Sequence, residues 1–380
     1  MTGRCQYYGK CGGCSCQHIP YEIQIENKRK LVENSIKTSG VETRCEVKIY
    51  SKEPYGYRNR MDFALTDSSP ALRVKGRWDQ LVPVCECPIS NNKLNVLLKE
   101  VKDLCDKDRL DVFDMKKHTG TFRYSVIRAP EFTDDSSISF VLNSDSQKIA
   151  DATEKIKEFA KNTSAENIVV TFAASNTDIS ASDDFFVVKG KDKITEKILG
   201  KTYSFSIQGF MQNNSRMAEE MVGYVKTLLA SHYTKDSFLL DLYGGVGLFG
   251  IGLCEMFKET LIVESHEGSI ESAKENITQN NMMNIDAVVL DAKTLYRLEI
   301  EKKKNPIVLT DPPRSGMHPK TIKYLLDLAP EKIIYVSCNP DQLRKELIQF
   351  KKKYIVVSAA AFDLFPQTNH IESIVELKLL

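Results

Sequence analysis

The chain has almost no net charge, since 52 lysines and arginines stand against 51 aspartates and glutamates. A field that draws the whole molecule to a polyanion is thereby excluded, and any nucleic-acid surface must be a local patch. Long apolar runs are missing as well. Met1 to Lys10 has no apolar core of the kind a secretory leader needs, and the greasiest stretch, Phe238–Phe257, carries Asp241, Glu255 and five glycines. A cytoplasmic protein with no membrane partner is expected. Internal repeats and low-complexity tracts are absent too, so neither a solenoid nor a disordered tail is read.

What is present is a chain of 380 residues, 42% of them hydrophobic, enough for at least two cores. Ten cysteines without a leader argue against a disulfide framework, because the cytosol keeps thiols reduced. Four of them crowd into Cys5, Cys11, Cys14 and Cys16, two form Cys85-Glu86-Cys87, and Cys338 stands alone near the C-terminus.

The C-terminal half alternates strand-like and helix-like segments, which predicts a parallel sheet. Strands are expected at Phe238–Leu242, Leu261–Glu264, Ala287–Leu290, Ile307–Thr310 and Ile333–Ser337, with helices such as Glu267–Asn280 and Pro319–Leu328 between them. Ile355–Ala361 and Ile374–Leu379 read as a closing antiparallel hairpin. Between about Tyr50 and Ile207 shorter alternating strands and two helices suggest an α+β domain. Ahead of it, Pro20–Thr38 reads as one helix, with Tyr21, Ile25, Val32 and Ile36 on one face.

Chemistry gathers at the predicted strand ends. Asp241-Leu242-Tyr243-Gly244-Gly245-Val246-Gly247-Leu248 places glycines at a strand-to-helix turn, where a backbone without Cβ lets a nucleotide-like ligand approach. Such a turn also suits a dinucleotide. Glu264, ending the next strand, is placed to accept two ribose hydroxyls, and Asp291, ending the third, stands where an adenine amino group would lie; together they favour S-adenosylmethionine. The fourth strand ends in Asp311-Pro312-Pro313-Arg314, the fifth in Ser337-Cys338-Asn339-Pro340, and a polar loop, Asp363 to His370, leads into Glu372.

A thiol, a carboxylate and a methyl donor at one edge suit methylation of uracil carbon 5. That carbon is a poor nucleophile until a thiolate adds at carbon 6, and a base must afterwards take its proton. Cys338 supplies the thiol and Glu372 the base, while Gln212 can grip a carbonyl or the cofactor, Asp311 can orient the ring and Phe210 can stack on a base turned out of its helix. Methylation of a different base atom, and an iron–sulfur RNA-binding or redox-sensing protein without this chemistry, are the alternatives.

In the order Phe-Met-Gln-Asn, Asp-Leu-Tyr-Gly-Gly-Val-Gly, Asp-Pro-Pro-Arg, Ser-Cys-Asn-Pro and Phe-Pro-Gln-Thr-Asn-His-Ile-Glu, the sequence resembles the RNA 5-methyluridine methyltransferases that act on tRNA or 23S rRNA. The likeness runs over almost the whole chain. It implies Cys338 as nucleophile, Glu372 as base, and Gln212, Tyr243, Gly245, Gly247, Leu248, Glu264, Asp291 and Asp311 around S-adenosylmethionine and uracil. Leu248 stands where bacterial members often have Asn, so a contact there must come from its backbone.

The resemblance also implies a [4Fe–4S] cluster on Cys5, Cys11, Cys14 and Cys87, though clustered thiols alone suit zinc equally. The expected architecture is a Rossmann-like S-adenosylmethionine methyltransferase domain with a mostly parallel seven-stranded sheet (20–50 and 208–380) and an α+β iron–sulfur and RNA-binding domain (1–19 and 51–207). A monomer without the N-terminal RNA-binding barrel of some members is expected. RNA contacts are then sought at Lys28-Arg29-Lys30, Arg58/Arg60, Arg73 to Arg77, Lys302 to Lys304 and Phe122-Arg123-Tyr124.

Overall fold

The computed structural model describes residues 5–230 and 235–380. Of the expected first segment, 1–19, residues 1–4 lie outside the described residues.

Eight strands make the larger sheet: β1 (Val47–Tyr50), β2 (Phe238–Leu242), β3 (Glu259–Glu264), β4 (Ile285–Val289), β5 (Pro306–Thr310), β6 (Lys332–Ser337), β7 (Tyr354–Phe362) and β8 (Glu372–Leu379). Their order is β1-β7-β8-β6-β5-β2-β3-β4. From β6 to β4 all neighbours are parallel, β8 is antiparallel to both β6 and β7, and β1 lies parallel to β7. The expectation of seven mostly parallel strands is corrected to a mixed sheet of eight. The extra strand, Val-Lys-Ile-Tyr, is too short to show a period; it holds the edge by register with β7 and by Tyr50 stacking on Phe362 at 4.9 Å.

The apolar runs of β2 and β6 are buried at every position, as strands covered on both faces must be. Lys332 in β6, one of the buried polar residues in these strands, is paired with Glu376 of β8 at 2.5 Å. Helices Glu267–Gln279, Pro319–Leu328 and Pro340–Phe350 start where their caps dictate: His266, His318 and Asn339 each accept a hydrogen bond from the first turn. Chain order reverses between β2 and β5, so a crevice opens at the carboxyl ends of those two strands.

A second sheet of seven strands comprises Arg77–Pro83, Pro70–Val74, Arg60–Leu65, Phe122–Arg128, Ser137–Asn143, Asn167–Ala173 and Phe185–Lys189, in that order across the sheet. It is antiparallel except where Ser137–Asn143 and Asn167–Ala173 run parallel, joined by helix Ile149–Asn162. Helix Tyr21–Ser39 is closed by Gly40 at φ 71°, and its buried side includes Gln24, Lys28, Val32 and Ile36. No helix among the described residues is long and apolar enough to cross a membrane.

Candidate active site

The crevice widens into a cleft of about 1300 Å³ whose walls include Gln212, Tyr243, Gly245, Leu248, Glu264, Asp311, Cys338 and Glu372. Residues far apart in sequence are thus brought to one space. Gly247 and Asp291 are not on its wall.

The glycine turn is built by close approach. A Cβ on Gly244 would stand 2.7 Å from Ile262 and 2.9 Å from Asp241, while Tyr243 takes the left-handed region at φ 60°, a conformation rare outside glycine. Gly247, at φ 91°, packs against Ile251 and Ile262 and so supports the turn from behind. Leu248 is buried on the cleft wall, and its carbonyl accepts the Tyr203 hydroxyl at 3.1 Å.

Glu264 is fixed by its own chain: one carboxylate oxygen accepts from the Ser265 and His266 N–H groups at 2.6 and 2.9 Å. Asp241 lies behind the turn and not on the cleft wall. It is fully buried, accepts from the Gly250 N–H at 2.8 Å through one oxygen and has no partner for the other. Burial, with the charges of Asp311 and Glu264, pushes its carboxyl up to about 7. An acid inside an apolar strand is its signal in the sequence. Asp291 is exposed, caps the turn Ala292–Leu298 through the Lys293 N–H and pairs with the Lys293 ammonium at 2.7 Å, so its side chain serves the loop and not the cleft.

At the other end of the crevice the acids are withdrawn from water. Burial pushes Asp311 up to about 7 and, with the nearby Asp311 charge, holds Glu372 well above the usual carboxylate range. The Cys338 thiol is raised to about 11 by burial and by the charges of Glu372 and Asp311, against a downward pull from Arg314. One proton therefore has several places to rest among these groups.

The loop that presents Glu372 is held by remote parts of the chain. Lys28, on the first helix, reaches Asp363 at 2.6 Å and the Phe365 carbonyl at 3.0 Å, in a pair whose side chains are 3% and 0% exposed. Tyr21 donates to the second Asp363 oxygen at 2.7 Å. Gln24 bonds the Gln367 side chain, Tyr57 the Pro366 carbonyl and Asn214 the Leu364 carbonyl. The Ser15 and Cys16 N–H groups both donate to the Gln367 carbonyl at 3.0 Å, and the Cys16 thiol meets the Asn369 side-chain oxygen at 2.8 Å.

Most of the basic runs singled out in the sequence are spent internally. Lys28 is buried, Arg29 and Lys30 pair with Glu26, and Arg60 pairs with Asp62. Arg73 pairs with Asp178, and Lys302, Lys303 and Lys304 pair with Glu299, Glu259 and Asp236. Arg123 is buried over the Phe113 ring and gives its guanidinium to backbone carbonyls, and the Tyr124 hydroxyl meets Asp178. Neighbouring helix faces and sheet edges supply the carboxylates that take up these cations.

Cys5, Cys11, Cys14 and Cys87 line one small pocket together with Tyr7 and Pro88. Burial raises the first three thiols, and the Cys87 charge raises each further. Among the described residues no group of three or more His, Cys, Asp or Glu side chains is drawn together as a ligand set for a metal ion. Cys85 stands apart, with its thiol 3.1 Å from the Tyr7 hydroxyl.

A parallel sheet closed by an antiparallel β8 between β6 and β7, with a glycine turn at the switch point and a cleft running from Glu264 to Cys338, defines a Rossmann-type methyltransferase. Residues 20–379 match the family described as tRNA (uracil-5-)-methyltransferase. The chain belongs to that family, whose members methylate carbon 5 of uracil in RNA. It is 32% identical to the tRNA (uracil(54)-C(5))-methyltransferase of Pyrococcus furiosus over 382 residues, which is 100% of this chain and 86% of the relative. The same enzyme of Pyrococcus horikoshii is 32% identical over 99% of this chain and 86% of its own length. The crystal structure of the Pyrococcus abyssi tRNA (uracil-54, C5)-methyltransferase in complex with S-adenosyl-L-homocysteine superposes with a TM-score of 0.79 at 28% identity, covering 97% of this chain and 86% of that one.

Proposed function

We propose that the chain methylates carbon 5 of a tRNA uridine, at the position numbered 54 in its relatives, by covalent addition of Cys338 to carbon 6. The observation that carries this reading is the meeting of Cys338, Glu372 and Asp311 in the same cleft as the glycine turn and Glu264. Relatives named for tRNA favour that substrate over 23S rRNA. A methyltransferase acting on an exocyclic nitrogen would leave the thiol and the buried Glu372 without work.

When bound, S-adenosylmethionine supplies an electrophilic methyl group, and Glu264 and Gln212 are the residues placed to hold it. The Cys338 sulfur, losing its proton, bonds to carbon 6 of the uracil, and the electrons of the 5,6 double bond move toward the O4 carbonyl. Carbon 5 then takes the methyl group. Glu372 removes the carbon-5 proton; its carboxylate is a stronger base than an exposed one because burial disfavours the charge it carries. The double bond re-forms as the carbon–sulfur bond breaks, and the sulfur recovers a proton. Asp311, half-buried on the cleft wall, would accept or give a hydrogen bond at the ring edge according to whether it holds its proton.

Cys5, Cys11, Cys14 and Cys87 would hold a [4Fe–4S] cluster. The support is the shared pocket and the unfavourable charging of its thiols, which a cationic metal group relieves. Such a cluster supplies cross-linking of the 5–19 segment to the second domain and takes no part in methyl transfer. The test of the whole reading is product mapping: an unmodified tRNA transcript incubated with enzyme and S-adenosylmethionine should yield 5-methyluridine in the T loop by mass spectrometry. A product methylated on nitrogen, or on an rRNA fragment alone, would overturn it.

A further inference from the structure

After the ion pairs described above, two arginines in the cleft remain without a carboxylate among the described residues, Arg58 and Arg314. Both have fixed backbones. The Arg58 N–H donates to the Ile89 carbonyl at 2.8 Å, its carbonyl accepts the Asn91 N–H at 3.0 Å, and its Nε is tied to the Arg60 carbonyl at 2.8 Å. That leaves the outer nitrogens of the guanidinium unbonded. The Arg314 carbonyl accepts the Asn339 side-chain amide at 3.1 Å, and its turn is closed by the Gly316 N–H on the Pro313 carbonyl at 2.7 Å. Its side chain is exposed and makes no hydrogen bond among the described residues.

Between them stand two rings. The Arg58 guanidinium lies 5.9 Å from the centroid of Phe365, whose ring meets that of His370 edge-on at 6.1 Å. Burial first, and then the charges of Arg314, Lys28 and Arg58, disfavour the protonated form of His370. The result is a continuous wall of Arg58, Phe365, His370 and Arg314 beside Cys338, built from the entry to the second sheet, the loop before β8 and the turn after β5. Phe210, 64% exposed, is a further aromatic lining the cleft.

Two unneutralised guanidiniums on fixed backbones, flanking aromatic rings, match a sugar–phosphate chain whose base is turned inward. We propose that Arg58 and Arg314 form a phosphate clamp, binding the RNA backbone on either side of the reacting nucleotide while Phe365 and His370 lie under the sugar or a neighbouring base. The clamp rests on the reading of this cleft as an RNA methylation site. It would let a chain of nearly zero net charge meet a polyanion with two carboxylate-free cations beside the reacting thiol.

The experiment is RNA binding against salt. Dissociation constants of a T-arm-containing tRNA transcript are measured for wild type, Arg58→Gln, Arg314→Gln and the double variant, from about 50 to 200 mM salt. Each loss of a phosphate contact should weaken binding several-fold and reduce the log–log salt slope by about 0.7 to 0.9. Arg314→Lys and Arg58→Lys, which keep the charge, should restore the slope, and circular dichroism confirms that each variant is folded. An unchanged slope in the double variant would overturn the clamp. So would an affinity for S-adenosylmethionine that falls in Arg314→Gln while RNA binding is untouched, for the arginine would then hold the cofactor's carboxylate. If the slopes change as expected but the wild type makes no 5-methyluridine, the clamp stands and the methylation reading falls.

Discussion

The two ends of the cleft are fixed in opposite ways. At the glycine turn, the acids are held by neighbours in sequence: Glu264 by the next two N–H groups and Asp241 by Gly250 at the start of the adjoining helix. At the reacting end, the loop before Glu372 is held by Lys28, Tyr21, Gln24, Cys16, Tyr57 and Asn214, all far away in the chain. A local arrangement survives damage elsewhere. The remote one makes the base depend on the first helix and on the cysteine-bearing segment ahead of it.

The largest expected effect that would break or sharpen this contrast comes from Lys28→Met. Removing one partner leaves Asp363 charged and buried, a change that costs about 3 to 5 kcal/mol in denaturant unfolding. Methyl transfer at saturating substrates should fall by a larger factor than the affinity for S-adenosylmethionine, because the loop bearing Glu372 shifts while the glycine turn does not. Asp363→Asn combined with Lys28→Met should recover part of the stability. Equal losses in both readouts would mean that the two ends are not held independently.

A smaller effect concerns Asp311. Its folded carboxyl, near 7, lies above the ordinary 3.8, so the folded state binds the proton more tightly. The stabilisation is complete below about pH 4 and is lost as the pH rises through about 7. Asp311→Asn should therefore leave the melting temperature unchanged at pH 4 and raise it at pH 8, on the order of 1 kcal/mol or about 2 °C. Asp241, raised likewise, keeps some pH dependence in the variant. A drop at pH 8 would show that the charged form of Asp311 is the one the fold favours.

The same contrast explains what was legible in the sequence. Strand ends, glycine turn and helix caps are local signals, and β2 to β8 lie where periodicity places them. The edge strand β1 is four residues long and depends on its partner for definition, so no pattern announces it. Lys28 stands in a basic run where an RNA contact is expected, because nothing near it in sequence reveals that it is buried against Asp363. Asp291 shows the opposite case, since a local cap and an adjacent lysine, both legible in the sequence, already engage its carboxylate. Arg123 beside Tyr124 has the composition of an RNA contact, yet its guanidinium is enclosed by backbone carbonyls.

The central claim is that Cys338 and Glu372 act in sequence on one uracil. It is tested most directly by trapping the intermediate with tRNA containing 5-fluorouridine at the target position, where fluorine replaces the proton that Glu372 must remove. In the presence of S-adenosylmethionine, the wild type should give a stable protein–RNA adduct on denaturing gels, mapped to Cys338 by mass spectrometry, and Cys338→Ala should give none. An adduct at another cysteine, or methylation of ordinary tRNA by Cys338→Ala at the wild-type rate, would contradict the account.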